Sequence, residues 1–176
     1  PYEDCALQPP VFGEILRFVE QFLDQYHIPV YDEETGTGLV RHVYLRQGAV
    51  SGELMLCLVL NGSELAHCSQ FVNRITEQFP ELASIMLNIN RERTNVILGK
   101  KSRLIYGKDH ITDTLCGVRF DISPMAFYQI NHDGAEQLYR IAGEFAQLTP
   151  DDVLLDLYCG AGTIGLSLAH QVKEVI

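Results

Sequence analysis

The sequence predicts an α+β domain with a mostly antiparallel sheet over residues 1–121, followed over residues 122–176 by the first βαβ portion of a Rossmann-like fold. Three observations support this division. Short apolar stretches separated by turn residues fill the first part of the chain. A helical pattern follows Pro124. After that helix come a continuous apolar strand and a glycine-rich turn.

Helical and strand-like spacings alternate in the first part. Apolar residues from Phe12 to Tyr26 recur every three or four positions, which predicts a helix that begins near Pro10. Residues 39–46 alternate apolar and polar side chains, as in a half-buried strand. Residues 52–60 are apolar on both faces and are therefore expected to form a central strand. A further helix is predicted over 65–79, with strands at 84–89, 95–98, 103–106, 111–115 and 118–122 and tight turns at Gly107 and Gly117.

The second part predicts one long helix and then a strand, a turn and a second helix. Asn131 or Asp133 is the candidate cap of a helix that extends to Leu148. The strand is expected over 153–157 and the second helix over 164–170, before the chain enters a new strand. The predicted inner stripe of the first helix comprises Ala135, Leu138, Tyr139, Ala142, Phe145 and Ala146.

Composition narrows the class of protein. A length of 176 residues is enough for one ordinary domain or for a small domain plus part of another, and the 47% of hydrophobic residues can form a core. The formal net charge is −10. That charge argues against nucleic-acid binding by the chain as a whole, so such binding would require local basic patches. No apolar run approaches the roughly 20 residues of a membrane span, and no signal peptide is recognisable. Five cysteines without a C-x-x-C pair do not form a disulfide framework, and a cytoplasmic location is predicted.

The stretch from Asp156 to Gly165 carries the most specific chemical signal. Gly160, Gly162 and Gly165 satisfy G-x-G-x-x-G, which lets a backbone turn sharply and approach a ligand. Asp156 stands four residues before the first glycine, where a carboxylate suits the ammonium group of S-adenosylmethionine better than a pyrophosphate. The motif favours S-adenosylmethionine over NAD, and a glycine turn without a ligand is the third possibility.

Four segments in consistent order resemble the RNA (uracil-5-)-methyltransferase family, and they cover nearly the whole chain. They are Leu155–Thr163, Phe120–Asn131 with the pattern F-x-I-S-P-x-x-F-x-Q-x-N, Asn90 with Thr94–Gly99, and Gly38–His42. The branch they resemble contains the bacterial 23S ribosomal RNA enzymes. The chain starts on Pro1 and stops as a strand begins, so it is expected to be an internal fragment: a central domain plus the start of a methyltransferase domain.

The resemblance implies residue roles. Gln129 and Tyr158 would contact S-adenosylmethionine, while the backbone from Gly160 to Gly162 would shape its pocket; Asp156 remains the candidate partner of the ammonium group. Phe127 would lie near the flipped target base, with core packing as the alternative. Cys159 lies inside the cofactor turn and is not expected to be the nucleophile. The nucleophile and the general base would lie beyond Ile176, so the fragment alone is predicted to be inactive.

RNA contact is expected from basic residues on two parts of the first domain, although a solvated basic face would look the same. The candidates are Arg41, His42, Arg91, Arg93, Lys100, Lys101 and Arg103, the last five in one predicted hairpin. Cys5 resembles the last of four ligands of a [4Fe–4S] cluster found in some members of the family, and an ordinary free cysteine is the alternative.

The implied reaction is methylation of uridine C5 in RNA, most specifically 23S rRNA, through a covalent adduct between a cysteine and uracil C6. Two other functions fit parts of the sequence: an NAD-dependent oxidoreductase and a non-catalytic RNA-binding module. No membrane partner is expected. A single βα unit leaves an unpaired strand edge, so self-association through that edge is also predicted.

Overall fold

The computed structural model describes residues 8–176, which form two compact units. Unit 1 contains the described residues through Gln47 together with Gly52–Ile111, and unit 2 contains Gly48–Ser51 and Thr112–Ile176. The helices are α1 (Pro10–Gln25), α2 (Cys68–Gln78), α3 (His132–Ala146) and α4 (Thr163–Leu168), and a 3-10 turn follows at Ala169–Gln171. The strands are β1 (Val40–Gln47), β2 (Leu54–Leu60), β3 (Leu82–Ile89), β4 (Lys101–Gly107), β5 (Ile111–Leu115), β6 (Val118–Ile122), β7 (Val153–Leu154) and β8 (Glu174–Val175).

Unit 1 is built on a four-stranded sheet in the order β1-β2-β3-β4. Every residue of β2 is buried, which confirms that the apolar run forms a central strand. β1 and β4 are antiparallel to their neighbours, but β2 and β3 are parallel and are connected through α2. The sheet is therefore mixed, with the predicted majority of antiparallel pairs. Helices α1 and α2 contribute to its core, where the rings of Phe22 and Phe71 lie 5.0 Å apart.

The strand predicted at residues 95–98 is wrong, because this stretch is a loop between β3 and β4. Side chains bind the backbone groups that a strand would use. The Asn90 side-chain amide donates to the carbonyls of Val96 and Ile97 at 2.7 and 3.1 Å. The Asn88 side chain exchanges two hydrogen bonds with the backbone of Gly99. Local side-chain hydrogen bonds thus replace the backbone hydrogen bonds that would pair this stretch with a neighbouring strand.

Unit 2 begins earlier than residue 122, the start predicted for the second domain. β5 and β6 pair with each other in a separate two-stranded sheet, so they do not extend the sheet of unit 1. Their turn has positive φ at Cys116 and Gly117, 50° and 76°, which matches the twist of a two-residue hairpin. Residues 48–51 belong to the same unit because Asp113 binds their backbone amides.

Helix α3 has the predicted cap but a different buried face. The Asn131 side chain accepts a hydrogen bond from the Gly134 amide at 3.0 Å, so the cap is confirmed. Ala135, Tyr139 and Gly143 are the buried residues of the helix. From the predicted stripe, Leu138 and Phe145 are instead 58% and 85% exposed, and Ala142 and Ala146 are exposed as well. The helix packs through Gly143, whose absent side chain leaves room for Leu168.

The chain ends with a strand–turn–helix–strand unit. β7 and β8 are parallel, and the pairing continues through hydrogen bonds from the Asp156 amide to Ile176 and from the Ile176 amide to Leu154. The regular strand is shorter than the predicted 153–157. In the part of the chain that the structure describes, no helix has the length and apolar character needed to cross a bilayer.

Candidate functional site

The turn between β7 and α4 has the tight geometry that its glycines predict. Gly160 and Gly162 have φ values of 56° and 70°, in the left-handed region that glycine adopts without cost. Tyr158 adopts φ of 61°, which is strained for a residue with a Cβ atom. The Gly162 amide donates to the Cys159 carbonyl at 2.8 Å and closes the turn. Strain at such a turn is typical of sites that bind a ligand.

Asp156 and Gly165 connect the end of the strand to the helix. The Asp156 Oδ2 accepts a hydrogen bond from the Gly165 amide at 2.9 Å. A Cβ atom at Gly165 would lie 2.7 Å from that oxygen, so only glycine allows this approach. A carboxylate has about four lone-pair sites, and Asp156 therefore keeps capacity to accept a ligand N–H.

The outer side of the turn is open. The Tyr158 side chain is fully exposed, and among the described residues no heavy atom lies within 4 Å of a Cβ built on Gly160. Ligand contacts at this turn would therefore come from the Tyr158 ring and the glycine backbone. The Thr163 hydroxyl at the start of α4 lies 2.9 Å from the Tyr139 hydroxyl, which fixes the helix against α3.

Residues 123–131, which contain the F-x-Q part of the signature, form an irregular segment between β6 and α3. Phe127 is 73% exposed, which argues against core packing as its role. Gln129 is half-buried. Between them, the Tyr128 hydroxyl donates to the Asp113 Oδ2 at 3.1 Å.

Asp113 is a candidate functional residue that was not predicted from the sequence. This carboxylate is buried and accepts hydrogen bonds from the amides of Ala49, Val50 and Ser51 at 3.0, 2.9 and 3.3 Å. Burial raises the pKa of Asp113, whereas the backbone hydrogen bonds lower it. The effect of the hydrogen bonds is the larger one, so the pKa lies below its ordinary value. The signal was available: Asp113 alternates with Ile111 and Leu115 on the inward face of β5, where an acidic residue requires partners.

Five of the predicted RNA-contact residues lie on one hairpin, as the sequence indicated. Strands β3 and β4 form this hairpin, with three of the five residues in the loop between the strands and two in β4. All five side chains are exposed: Arg91, Arg93, Lys100, Lys101 and Arg103. Arg93 is also held in place, because its Nη2 donates to the Thr35 carbonyl at 3.0 Å. Together these five residues give the hairpin, called the basic hairpin below, an exposed cationic surface.

Arg41 does not belong to that surface, and its prediction as an RNA contact needs correction. Its side chain is fully buried. The guanidinium donates to the carbonyls of Asn90, Glu92 and Thr94 at 3.1, 2.7 and 3.2 Å, and it lies 4.5 Å above the ring of Tyr31. Arg41 therefore anchors the loop of the basic hairpin from the protein interior, where it cannot contact an RNA phosphate.

His42 lines a shallow cleft of about 410 Å³ with Glu33, Arg93, Thr94 and Asn95. Partial burial and the neighbouring Arg41 charge lower the pKa of His42, and Glu33 opposes this shift. The imidazole is thus neutral near pH 7. It can take part in hydrogen bonding or stacking there, but it adds no positive charge.

The described residues provide no metal site. Across residues 8–176, no group of three or more histidine, cysteine or acidic side chains could hold an ion. Cys57 is buried in β2, whereas Cys159 is exposed in the glycine turn. Cys5 lies outside the described residues, so the [4Fe–4S] cluster stays a prediction from the resemblance.

Comparison with known proteins identifies relatives along almost the whole chain. A Streptococcus mutans protein named as an uncharacterized RNA methyltransferase is 42% identical over 175 residues, which are 99% of this chain and 39% of that protein. A Staphylococcus epidermidis protein with the same description is 41% identical over 98% of this chain and 38% of its own length. No protein-family model matches. The chain thus spans about two fifths of these curated relatives.

Among solved structures, the chain is similar to the Pyrococcus abyssi tRNA (uracil-54, C5)-methyltransferase in complex with S-adenosyl-L-homocysteine. The TM-score is 0.77 and the identity 27%, over 95% of this chain and 40% of that one. The mixed sheet and the strand–turn–helix–strand unit therefore define a methyltransferase-type α/β protein. Within that class, the chain is similar over almost its whole length to bacterial proteins named as RNA methyltransferases.

Proposed function

We propose that the protein methylates C5 of a uridine in RNA, with S-adenosylmethionine as the methyl donor. One observation carries this proposal: the open turn from Tyr158 to Gly162 follows the carboxyl end of a parallel strand, where α/β sheets bind their ligands. The similarity to a uracil-C5 methyltransferase in complex with S-adenosyl-L-homocysteine supports the choice of ligand.

In this proposal the residues after β6 hold the methyl donor. The donor supplies an electrophilic methyl group on a sulfonium. Asp156 accepts hydrogen bonds from its ammonium group, while Tyr158 and the backbone of Gly160 and Gly162 contact the remainder. Gln129 adds a polar contact, and the exposed Phe127 ring stacks on or beside the extruded uracil. We assign unit 1 to RNA contact and unit 2 to the donor, so the functional boundary lies near residue 112 and not at residue 122.

The proposed chemistry begins with a cysteine thiolate that adds to uracil C6, which makes C5 nucleophilic enough to take the methyl group. A base then removes the C5 proton and the thiolate leaves. We assign neither the nucleophile nor the base to a described residue. The proposed substrate is 23S rRNA in the cytoplasm, with phosphates contacted by the basic hairpin.

Titration of the ¹⁵N-labelled protein with S-adenosyl-L-homocysteine and, separately, with NAD tests the ligand. Up to millimolar ligand, the amides of Gly160, Gly162 and Gln129 are expected to shift with the homocysteine compound and not with NAD. Tyr158→Ala should weaken the shifts, whereas Tyr106→Ala, an exposed tyrosine of unit 1, should leave them unchanged. Selective shifts with NAD would instead support an oxidoreductase. RNA binding without any response to the methyl-donor analogue would support a non-catalytic RNA-binding module.

A further inference from the structure

The placement of Gln129 depends on a segment with little regular structure. Residues 123–131 form neither a helix nor a strand. The segment is held at its start by a hydrogen bond from the Ala126 amide to the Ser123 carbonyl at 3.2 Å. At its end the Asn131 cap fixes it to α3. Four residues lie between these anchors, and they include both Phe127 and Gln129.

Tyr128 provides a third anchor in the middle of this interval. Its ring packs against Phe120 of β6, with centroids 6.2 Å apart. Its hydroxyl donates to the Asp113 Oδ2 at 3.1 Å. Because Tyr128 is the immediate chain neighbour of both Phe127 and Gln129, its position limits where those two backbones can lie.

Asp113 is suited to act as a fixed acceptor. The residue is 1% exposed, and its Oδ1 accepts from the amides of Val50 and Ser51. Its Oδ2 accepts from the Ala49 amide as well as from Tyr128. Three backbone donors on one turn set the orientation of the carboxylate, so the tyrosine hydroxyl meets an acceptor that is already oriented.

We propose that Asp113 and Tyr128 are a positioning pair that holds residues 126–130 in the conformation that Gln129 needs to contact the methyl donor. This inference rests on the proposed function of Gln129. The pair acts on the donor only through the segment that it holds. If the Tyr128 ring served only to fill space, a phenylalanine would suffice. The Tyr128 hydroxyl instead donates a hydrogen bond to the buried Asp113 carboxylate.

Tyr128→Phe is the direct test, because it removes one hydroxyl and keeps the ring against Phe120. We expect backbone ¹⁵N order parameters of residues 126–130 to fall from about 0.85 towards 0.6, while those of β1–β4 stay unchanged. Affinity for S-adenosyl-L-homocysteine should fall by about threefold to tenfold, the size of one ordinary hydrogen bond, because the substitution acts on the donor only through the backbone of residues 126–130. Tyr106→Phe, a partly exposed tyrosine of β4, is the matched control and should change neither quantity.

Unchanged order parameters in Tyr128→Phe would overturn the positioning role. Asp113→Asn gives an independent measurement, because its amide cannot accept all four hydrogen bonds, and it should loosen residues 48–51 as well as 126–130. Loosening confined to 48–51 would also contradict the pair. If the unsubstituted protein fails to bind the homocysteine compound, the proposed function fails, but the order parameters still decide whether the pair positions the segment.

Discussion

The Oδ2 of Asp156 accepts a hydrogen bond from the backbone amide of Gly165 at 2.9 Å. This contact ties Asp156, two residues beyond β7, to the first turn of α4 across the glycine-rich turn. A motif glycine thus has a packing role that is separate from ligand approach. The third glycine brings helix and strand together, as it does in dinucleotide-binding folds.

Gly165→Ala is expected to destabilise the protein by about 1–3 kcal/mol, because overpacking forces the helix away from the strand. The new Cβ would lie 2.7 Å from Asp156 Oδ2 and 2.9 Å from a methyl group of Val175. Gly13→Ala in α1 is the control, since its nearest neighbour, the Arg17 side chain, lies 3.8 Å away. The control should be neutral or stabilising by about 0.5–1 kcal/mol. Urea unfolding measures both, and equal effects would contradict the packing role.

Arg41→Met should destabilise unit 1 by about 2–5 kcal/mol, because three carbonyls lose a charged donor in a buried site. Arg41→Lys should not restore stability, since an ammonium group cannot reproduce the planar fork of a guanidinium. Arg91→Met, an exposed arginine of the same hairpin, should change the free energy of unfolding by less than about 0.5 kcal/mol. Urea unfolding is again the measurement. If Arg41→Met matches the Arg91 control, the anchoring role is wrong.

The basic hairpin predicts a specific salt dependence of RNA binding. Replacing both Lys101 and Arg103 with alanine should reduce the slope of log K against log salt concentration by about 1.4 for single-stranded RNA, or about 0.7 for each phosphate contact. Fluorescence anisotropy with a labelled single-stranded oligonucleotide measures it. Arg140→Ala on α3, an exposed arginine paired with Glu144, is the matched control. An unchanged slope in the double variant would show that Lys101 and Arg103 do not contact RNA phosphates and only face solvent.

Asp113 should make stability depend on pH at the acidic end. Its folded-state pKa lies below the ordinary 3.8, since the backbone hydrogen bonds outweigh burial. A lowered pKa contributes stability that is fully present above the unfolded value and is lost as pH falls through the folded value. The difference in unfolding free energy between the unsubstituted protein and Asp113→Asn should therefore be constant above about pH 5 and narrow below about pH 4. A gap independent of pH would contradict an ionised Asp113.

The parts that sequence analysis predicted correctly are those governed by local patterns. The apolar run of β2, the Asn131 cap and the glycine turns each follow from a few neighbouring residues. The errors arise where distant residues compete with a local pattern. Asn90 turns an apparent strand into a loop, and Arg41 leaves the surface because carbonyls about fifty residues away in sequence accept its hydrogen bonds. Side-chain partners of this kind have no signature in sequence spacing.

In the candidate site, too, local patterns revealed some residues, and residues with distant partners were missed. Asp156, Gly160 and Gly162 were found because one turn brings them together in sequence. Asp113 was missed because its partners lie in residues 48–51, more than sixty positions earlier. The donor contacts of Gln129 and Tyr158 follow from the sequence resemblance alone, and the titration with S-adenosyl-L-homocysteine tests them.

The two-stranded β7–β8 sheet predicts self-association. In the described chain β7 pairs only with β8, so its other edge presents unpaired backbone groups beside exposed Val153, Leu155 and Leu157. Sedimentation velocity should therefore show a concentration-dependent dimer. Leu155→Lys should weaken dimerisation by about tenfold or more, because charge at a strand edge opposes pairing. Ile130→Lys, an exposed apolar residue outside any strand, should have little effect. A protein that stays monomeric at high concentration would show that this edge does not seek a partner.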